Sequence, residues 1–304
     1  MTDNITGKII KGVGGFYYIH LPDNRIFECK AKGVFRNQNI KPTVGDNVLM
    51  DIIDEQALIG NIRDILPREN SLIRPMVSNV DQAVIIFALS DPKPNFNLLD
   101  RFLIMMDRQD VKTIICFNKS DLVSGEEADK LKRIYEACGY DVIITSTYSR
   151  GDLSSGKEDG VDRLQALIKN KTTVFAGPSG VGKSSLLNAI NPNANVQTGT
   201  ISEKIKRGKH TTRHSELIWV GEDTYIMDTP GFSSLFVEEM ECEELKEYYG
   251  EFVQFQNGCK FIGCVHINEP VCGVKNALSE GKISKLRYDN YKQLYEELKS
   301  KKKW

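Results

Sequence analysis

The sequence predicts three successive regions: a small β-barrel over residues 1–70, a parallel α/β domain over 71–236 and a helical metal-binding domain over 237–304. Three observations lead there. Short β-rich runs separated by turn residues fill the N-terminal stretch. Buried-strand and helix patterns then alternate, and four metal-ligating residues crowd together near the C-terminal end.

With 304 residues, 40% hydrophobic and 27% charged, the chain has the composition of ordinary globular protein and room for two or three domains. A net charge of −1 excludes a chain-wide basic footprint for nucleic acid, so any RNA contact is expected at local patches. The N-terminus is polar, and the longest apolar run, Ala83–Leu89, is far shorter than the roughly 20 residues that span a bilayer. Seven cysteines, an odd number without a leader, point to reduced thiols with some on metal, and to a cytoplasmic protein.

In the first region Lys8–Ile10, Phe16–His20, Arg25–Cys29, Val48–Ile53 and Leu58–Ile65 read as strands. Gly14-Gly15, Pro22-Asp23-Asn24 and Pro42 through Asn47 punctuate them. About five short strands in so small a domain suggest a closed barrel such as the OB-fold, with a barrel that touches no nucleic acid as the plainer alternative. The second region opens with Ala83–Leu89, apolar throughout as in a strand buried on both faces. Helix patterns follow at Leu98–Arg108, Glu126–Cys138 and Val161–Asn170, alternating with strands at Lys112–Phe117, Asp141–Thr145 and Thr172–Ala176. Glu238–Tyr249 reads as an acidic helix, and Ile283–Lys299 has apolar residues at helical spacing.

Gly177-Pro178-Ser179-Gly180-Val181-Gly182-Lys183-Ser184 satisfies the P-loop pattern, with the strand Thr172–Ala176 before it and a helix, Ser185–Ile190, after it. Glycines let the backbone curl so that its N–H groups face phosphate oxygens. Lys183 then reaches the β/γ-phosphates, and the Ser184 hydroxyl is placed for Mg²⁺. Asp228-Thr-Pro-Gly231 follows a β-pattern that delivers Asp228 to a strand end, where it can hold Mg²⁺ while the Gly231 amide senses a γ-phosphate. Asn118-Lys119-Ser120-Asp121 closes the strand Lys112–Phe117 and resembles the base-recognition motif of GTPases, whose Asp accepts from two guanine N–H groups. Taken alone it could be a helix cap at Asp121. Thr145 and Ser146 end the next strand, where such proteins back up the base.

Order sets these motifs apart. Base recognition comes first, the P-loop second and Asp228–Gly231 last, which is a Ras-like module circularly permuted. Chain ends that lie close together make such a cut cheap. Between P-loop and Asp228 the basic stretch Lys204–His214 carries Thr211 and Thr212, one of which is the candidate switch threonine for Mg²⁺. Phe232 stands where a Ras-like GTPase has its water-orienting Gln, so slow intrinsic turnover is expected. His210 is the candidate replacement, with a plain surface histidine as the alternative. Cys259, Cys264, His266 and Cys272 form a closed Cys₃His set suited to one structural Zn²⁺. Cys29, Cys116, Cys138 and Cys242 have no partners nearby in sequence and read as buried free thiols.

Over essentially its whole length the chain resembles the ribosome small subunit-dependent GTPase A (RsgA) family. The residues that carry the likeness are Gly33-Val-Phe-Arg36 with Pro42-x-Val-Gly-Asp46, Asn118–Asp121, the permuted Gly177–Ser185 loop, Gly208-Lys-His-Thr-Thr212, Asp228–Gly231 and Cys264 through Cys272. Lys209, often Arg in such proteins, is a mild departure. The resemblance implies an N-terminal OB-fold that contacts RNA, a permuted α/β P-loop GTPase domain and a C-terminal α-helical zinc-binding domain. It also implies a GTPase of late small-subunit maturation, with 16S rRNA as contact and turnover stimulated by the subunit. A monomer without membrane attachment is expected. The competing readings are a nucleotide-gated RNA-binding scaffold with negligible turnover, which Phe232 favours, and an ATP-dependent P-loop enzyme, which Asn118–Asp121 opposes.

Overall fold

The computed structural model describes residues 5–31, 35, 41–73, 75–148, 160–192, 216–228 and 240–301. Strands β1 (Ile5–Val13), β2 (Phe16–His20), β3 (Ile26–Ala31), β4 (Asn47–Asp54) and β5 (Ile59–Ile65) close a barrel in the order β1-β2-β3-β5-β4. Alternation builds its core: in β3 Phe27 and Cys29 point inward and are fully buried, as are Ile9, Ile19, Val48, Met50 and Ile62. Each such apolar side chain removed from water contributes about 1.5–3 kcal/mol. The turn before β4 is pinned by Asp46, a buried carboxylate that accepts from the Thr43 amide at 2.7 Å and from Arg68 Nε at 2.7 Å. Gly45 sits at φ +93°, and a Cβ there would lie 2.0 Å from the Ser78 carbonyl oxygen, so only glycine fits. The Pro42-x-Val-Gly-Asp46 signature is therefore a fold determinant of the barrel.

After the short strands β6 (Ser71–Leu72) and β7 (Val77–Ser78) come β8 (Gln82–Ala88), β9 (Lys112–Asn118), β10 (Asp141–Ile144), β11 (Thr172–Ala176), β12 (Leu217–Gly221) and β13 (Thr224–Asp228). The last six form one sheet in the order β10-β9-β8-β11-β13-β12. The pairs β9–β10 and β11–β13 are parallel, and the β12–β13 hairpin is antiparallel. β8 and β11 are buried along their whole length, matching their continuous apolar sequence. Helix α1 (Phe96–Asp107) starts where the Asn95 side chain caps the Leu98 amide, and α2 (Gly125–Glu136) where Ser124 caps that of Glu127. α3 spans Gly160–Ile168, and α4, Lys183–Ile190, begins directly at the P-loop lysine.

The C-terminal part contains the one-turn helix α5 (Gly250–Val253), α6 (Gly273–Ser279) and α7 (Lys285–Lys301) around a core of Leu245, Tyr249, Phe252, Val274, Tyr291 and Leu294. Instead of the acidic helix expected over Glu238–Tyr249, residues 240–249 hold turns and a short 3₁₀ segment, Leu245–Tyr248. Glu243 and Glu247 stand four apart, a like-charge spacing that opposes a helix.

Two compact units partition the chain: residues 1–84, 161–176 and 183–230 in one, and 85–160, 177–182 and 231–304 in the other. Among the described residues no helix is long and apolar enough to cross a membrane.

Candidate nucleotide site and metal centre

β9 ends in Asn118, a buried side chain whose carboxamide is fixed at both ends. Its Nδ2 donates to the Val181 carbonyl of the P-loop at 2.9 Å, and its Oδ1 accepts from the Thr145 hydroxyl at 2.9 Å. Thr145 spends its proton on Asn118, so its oxygen accepts from the Cys116 thiol 3.3 Å away. Cys116 thus has a partner that sequence spacing hid, whereas Cys138, half-buried rather than buried as expected, donates to the Ile134 carbonyl one turn back. Backbone pairs join the same segments: Thr145 N–H to Phe117 O at 2.8 Å and Ser120 N–H to Thr145 O at 3.1 Å. Lys119 takes a left-handed conformation at φ +60°, and its Nζ donates to the Asp91 carbonyl. Asp121 is exposed and accepts from the Ser146 hydroxyl at 2.6 Å. It caps no helix, which removes the structural alternative for this motif; Ser124 fills that role.

The P-loop backbone turns through three left-handed glycines, Gly177, Gly180 and Gly182. A Cβ on Gly182 would lie 2.3 Å from Asn118 Nδ2, and one on Gly177 2.1 Å from the Ile86 carbonyl. Pro178, Ser179 and Gly180 lie at or near the surface, where the backbone N–H groups of such a glycine-rich turn can meet phosphate oxygens.

Lys183, Ser184 and Ser185 form the first turn of α4. Lys183 is buried, and that burial lowers its ammonium pKa against the pull of Asp228; burial likewise raises the Asp228 carboxyl while Lys183 draws it back. Asp228 Oδ1 is a buried acceptor with no hydrogen-bond partner among the described residues. An orphaned buried carboxylate oxygen suits Mg²⁺, whose preferred ligands are hard oxygens, and Ser184 directly follows Lys183, whose charge acts on that carboxylate. Gly231, His210, Thr211, Thr212 and Phe232 lie outside the described residues.

The four zinc candidates come together, their donor atoms all within 4.8 Å of one another. Tetrahedral zinc, with Zn–S about 2.3 Å and Zn–N about 2.0–2.1 Å, puts sulfur about 3.6 Å from nitrogen and about 3.8 Å from sulfur. His266 Nδ1 is 3.6 Å from Cys259 Sγ, 3.4 Å from Cys264 Sγ and 3.4 Å from Cys272 Sγ, and the Cys259 and Cys272 sulfurs are 3.9 Å apart. The donor set fits a single structural Zn²⁺. Burial pushes the Cys264 thiol up to about 12, and a divalent cation supplies the charge that holds such sulfurs as thiolates. The loop is tied from α7, where Tyr288 donates to the His266 carbonyl at 2.7 Å and Tyr291 to that of Val265 at 2.6 Å.

Sequence reasoning missed the segment Asp91–Asn95. It receives Lys119, and Pro92 is 3.7 Å from where a Gly180 Cβ would be. Its one signal was position, at the carboxyl end of a parallel strand, where ligands of open α/β sheets gather.

A parallel strand feeding a P-loop, with the guanine-type loop earlier in the chain and bonded to it through Asn118, defines a circularly permuted P-loop GTPase. A family profile described as RsgA GTPase matches residues 65–238, and one described as RsgA N-terminal domain matches residues 6–59. The chain belongs to the RsgA GTPase family. It is 54% identical over 310 residues to the small ribosomal subunit biogenesis GTPase RsgA of Agathobacter rectalis, covering 99% of this chain and 100% of that protein. The protein of the same name from Alkaliphilus metalliredigens is 46% identical, with 98% and 99% covered. Among solved structures, YloQ, a circularly permuted GTPase, superposes with a TM-score of 0.75 at 38% identity, covering 98% of this chain and 96% of that one. YjeQ from Thermotoga maritima gives 0.76 at 34% identity, covering 97% and 98%.

Proposed function

We propose that this protein hydrolyses GTP to GDP and phosphate during maturation of the small ribosomal subunit, and that the subunit stimulates its turnover. The observation that carries the reading is the Asn118 bond to Val181, which fastens a guanine-type loop to a P-loop. In this reading Asp121 accepts from the guanine N–H pair, with Ser146 holding the carboxylate. Asn118, Lys119, Ser120 and Thr145 brace the base loop. The amides of Gly177 through Gly182 and the Lys183 ammonium neutralise the β/γ-phosphates as charge develops. Ser184 and Asp228 hold Mg²⁺, joined by Thr211 or Thr212, and Ser185 closes the phosphate cradle. Mg²⁺ supplies charge neutralisation across the phosphates. Gly231 senses the γ-phosphate, and His210 takes the place of the water-orienting Gln absent at Phe232.

The relatives' printed names, all small-subunit biogenesis GTPases, support turnover over a passive scaffold. We further propose 16S rRNA as the main contact through the barrel, a monomeric cytoplasmic protein without membrane attachment, and folding regions at 1–70, 71–236 and 237–304. If the subunit recognises the switch segment as the γ-phosphate orders it, it binds the triphosphate state more tightly than the diphosphate state. Co-sedimentation with purified small subunits tests this: the protein should stay bound with a non-hydrolysable GTP analogue and be released with GDP. Equal retention with both, or retention by large subunits alone, would contradict it.

A further inference from the structure

Three buried charges join the zinc-bearing part of the chain to the helix that leaves the nucleotide loops. Arg287 on α7 and Asp100 on α1 have relative exposures of 1% and 0%, and Glu251 on α5 has 6%. Arg287 forks onto Glu251, Nε to Oε1 at 2.8 Å and NH2 to Oε2 at 3.3 Å, while its NH1 donates to Asp100 Oδ1. Asn290, one position short of a full turn along α7, donates to the other Asp100 oxygen at 2.7 Å. Tyr135 of α2 also donates to Asp100 at 3.3 Å, and the Tyr249 ring lies 4.4 Å from the guanidinium. Such a network is costly to desolvate, and removing one member strands the others. Its geometry is therefore held fixed.

Both ends of this network lead to a site. Asp100 lies in the first half of α1, whose cap, Asn95, ends the segment that takes Lys119 at Asp91 and meets the P-loop at Pro92. On α7, Tyr288 and Tyr291, next to Arg287 and Asn290, bond the carbonyls of the zinc loop. Helices α1 and α7, of 12 and 17 residues, thus connect the base-recognition lysine to the backbone of a zinc ligand.

We propose that Arg287 and Asp100 are positioning residues that couple the zinc centre to guanine-nucleotide binding. The inference rests on the guanine-nucleotide and zinc readings given above. A nucleotide that orders Lys119 and the P-loop fixes the Asp91–Asn95 segment and hence α1. Zinc fixes the other face of the same network. Each ligand then spares the other part of the ordering cost, and the coupling is reciprocal.

The test uses the full zinc-loaded chain. Zinc affinity is measured by competition with a chromogenic chelator, with and without saturating GDP, and GDP binding is followed separately with a fluorescent analogue. Wild-type protein should hold zinc roughly 5-fold or more tightly with GDP. That gain should shrink toward none in Arg287→Lys and Asp100→Asn, and persist in Lys285→Ala, which alters only an exposed pair on α7. A purely structural role for the network would lower stability without abolishing the GDP-dependent gain. Equal zinc affinity with and without GDP in the wild type overturns the proposal, and that arm needs no variant to fold. A full gain in both network variants also overturns it. Failure to bind GDP at all would sink the nucleotide reading itself, and this inference with it.

Discussion

Asp121 presents an exposed carboxylate that the Ser146 hydroxyl holds in place by donating to it. Replacing it with Asn exchanges one acceptor oxygen for a donor just where guanine offers two N–H groups. Each hydrogen bond to a charged group is worth about 1.5–3 kcal/mol, so Asp121→Asn should weaken GDP roughly 100-fold or more and leave ADP unchanged. Competition titrations check this, and an unchanged GDP/ADP ratio would remove Asp121 from base recognition. At Gly182 the constraint is steric. Alanine there must tolerate both φ +95° and a Cβ contact at 2.3 Å with the Asn118 amide. Gly182→Ala should weaken nucleotide binding at least about tenfold, since about 1.4 kcal/mol of strain is already that much. His210→Ala should lower stimulated turnover about 100-fold while leaving GTP affinity near wild type, the split expected of a group that acts only in the transition state.

Individual elements carry the acid and metal sensitivity. His20 closes β2 and packs at 5.1 Å on Trp219 of β12, with its Nδ1 2.8 Å from the Tyr225 hydroxyl of β13. Burial lowers its pKa below the ordinary imidazole value near 6.5. The unfolded chain therefore takes up the proton first as pH falls, and stability drops through the window beginning near 6.5. Denaturant midpoints between pH 7.5 and 5.5 should fall more for wild type than for His20→Gln; parallel curves would refute this. In the zinc domain the small core around Tyr249, Phe252 and Tyr291 is anchored to a loop that depends on four ligands. Cys272→Ala, or stripping zinc with a strong chelator, should release amide protection over residues 240–301 while the barrel keeps its own, because structural zinc supplies folding energy directly.

At the scale of the whole molecule, the sequence revealed most where chemistry is local in the chain. The P-loop, Asn118–Asp121 and the cysteine cluster are short strings whose spacing is their function. The strands of the barrel and sheet were legible from alternation and from continuous apolar runs, Phe16–His20 and Thr172–Ala176 without change and the others with boundaries shifted by at most three residues. What could not be read was long-range. Nothing near Asp46 announces Arg68, nothing near Cys116 announces Thr145, and Arg287 gives no sign in sequence of Asp100, 187 positions away. Over 240–249 the like-charge spacing of Glu243 and Glu247 opposes the helix that the pattern suggests, and the chain turns instead.

We propose that the small ribosomal subunit completes the catalytic site of this GTPase. The most direct test is GTP turnover by the purified chain alone and with small subunits, large subunits or intact ribosomes added separately. Slow turnover alone and strong stimulation by small subunits only is the predicted result. Equal rates with every particle, in protein that still binds GTP, would contradict the claim and leave only the permuted nucleotide-binding fold.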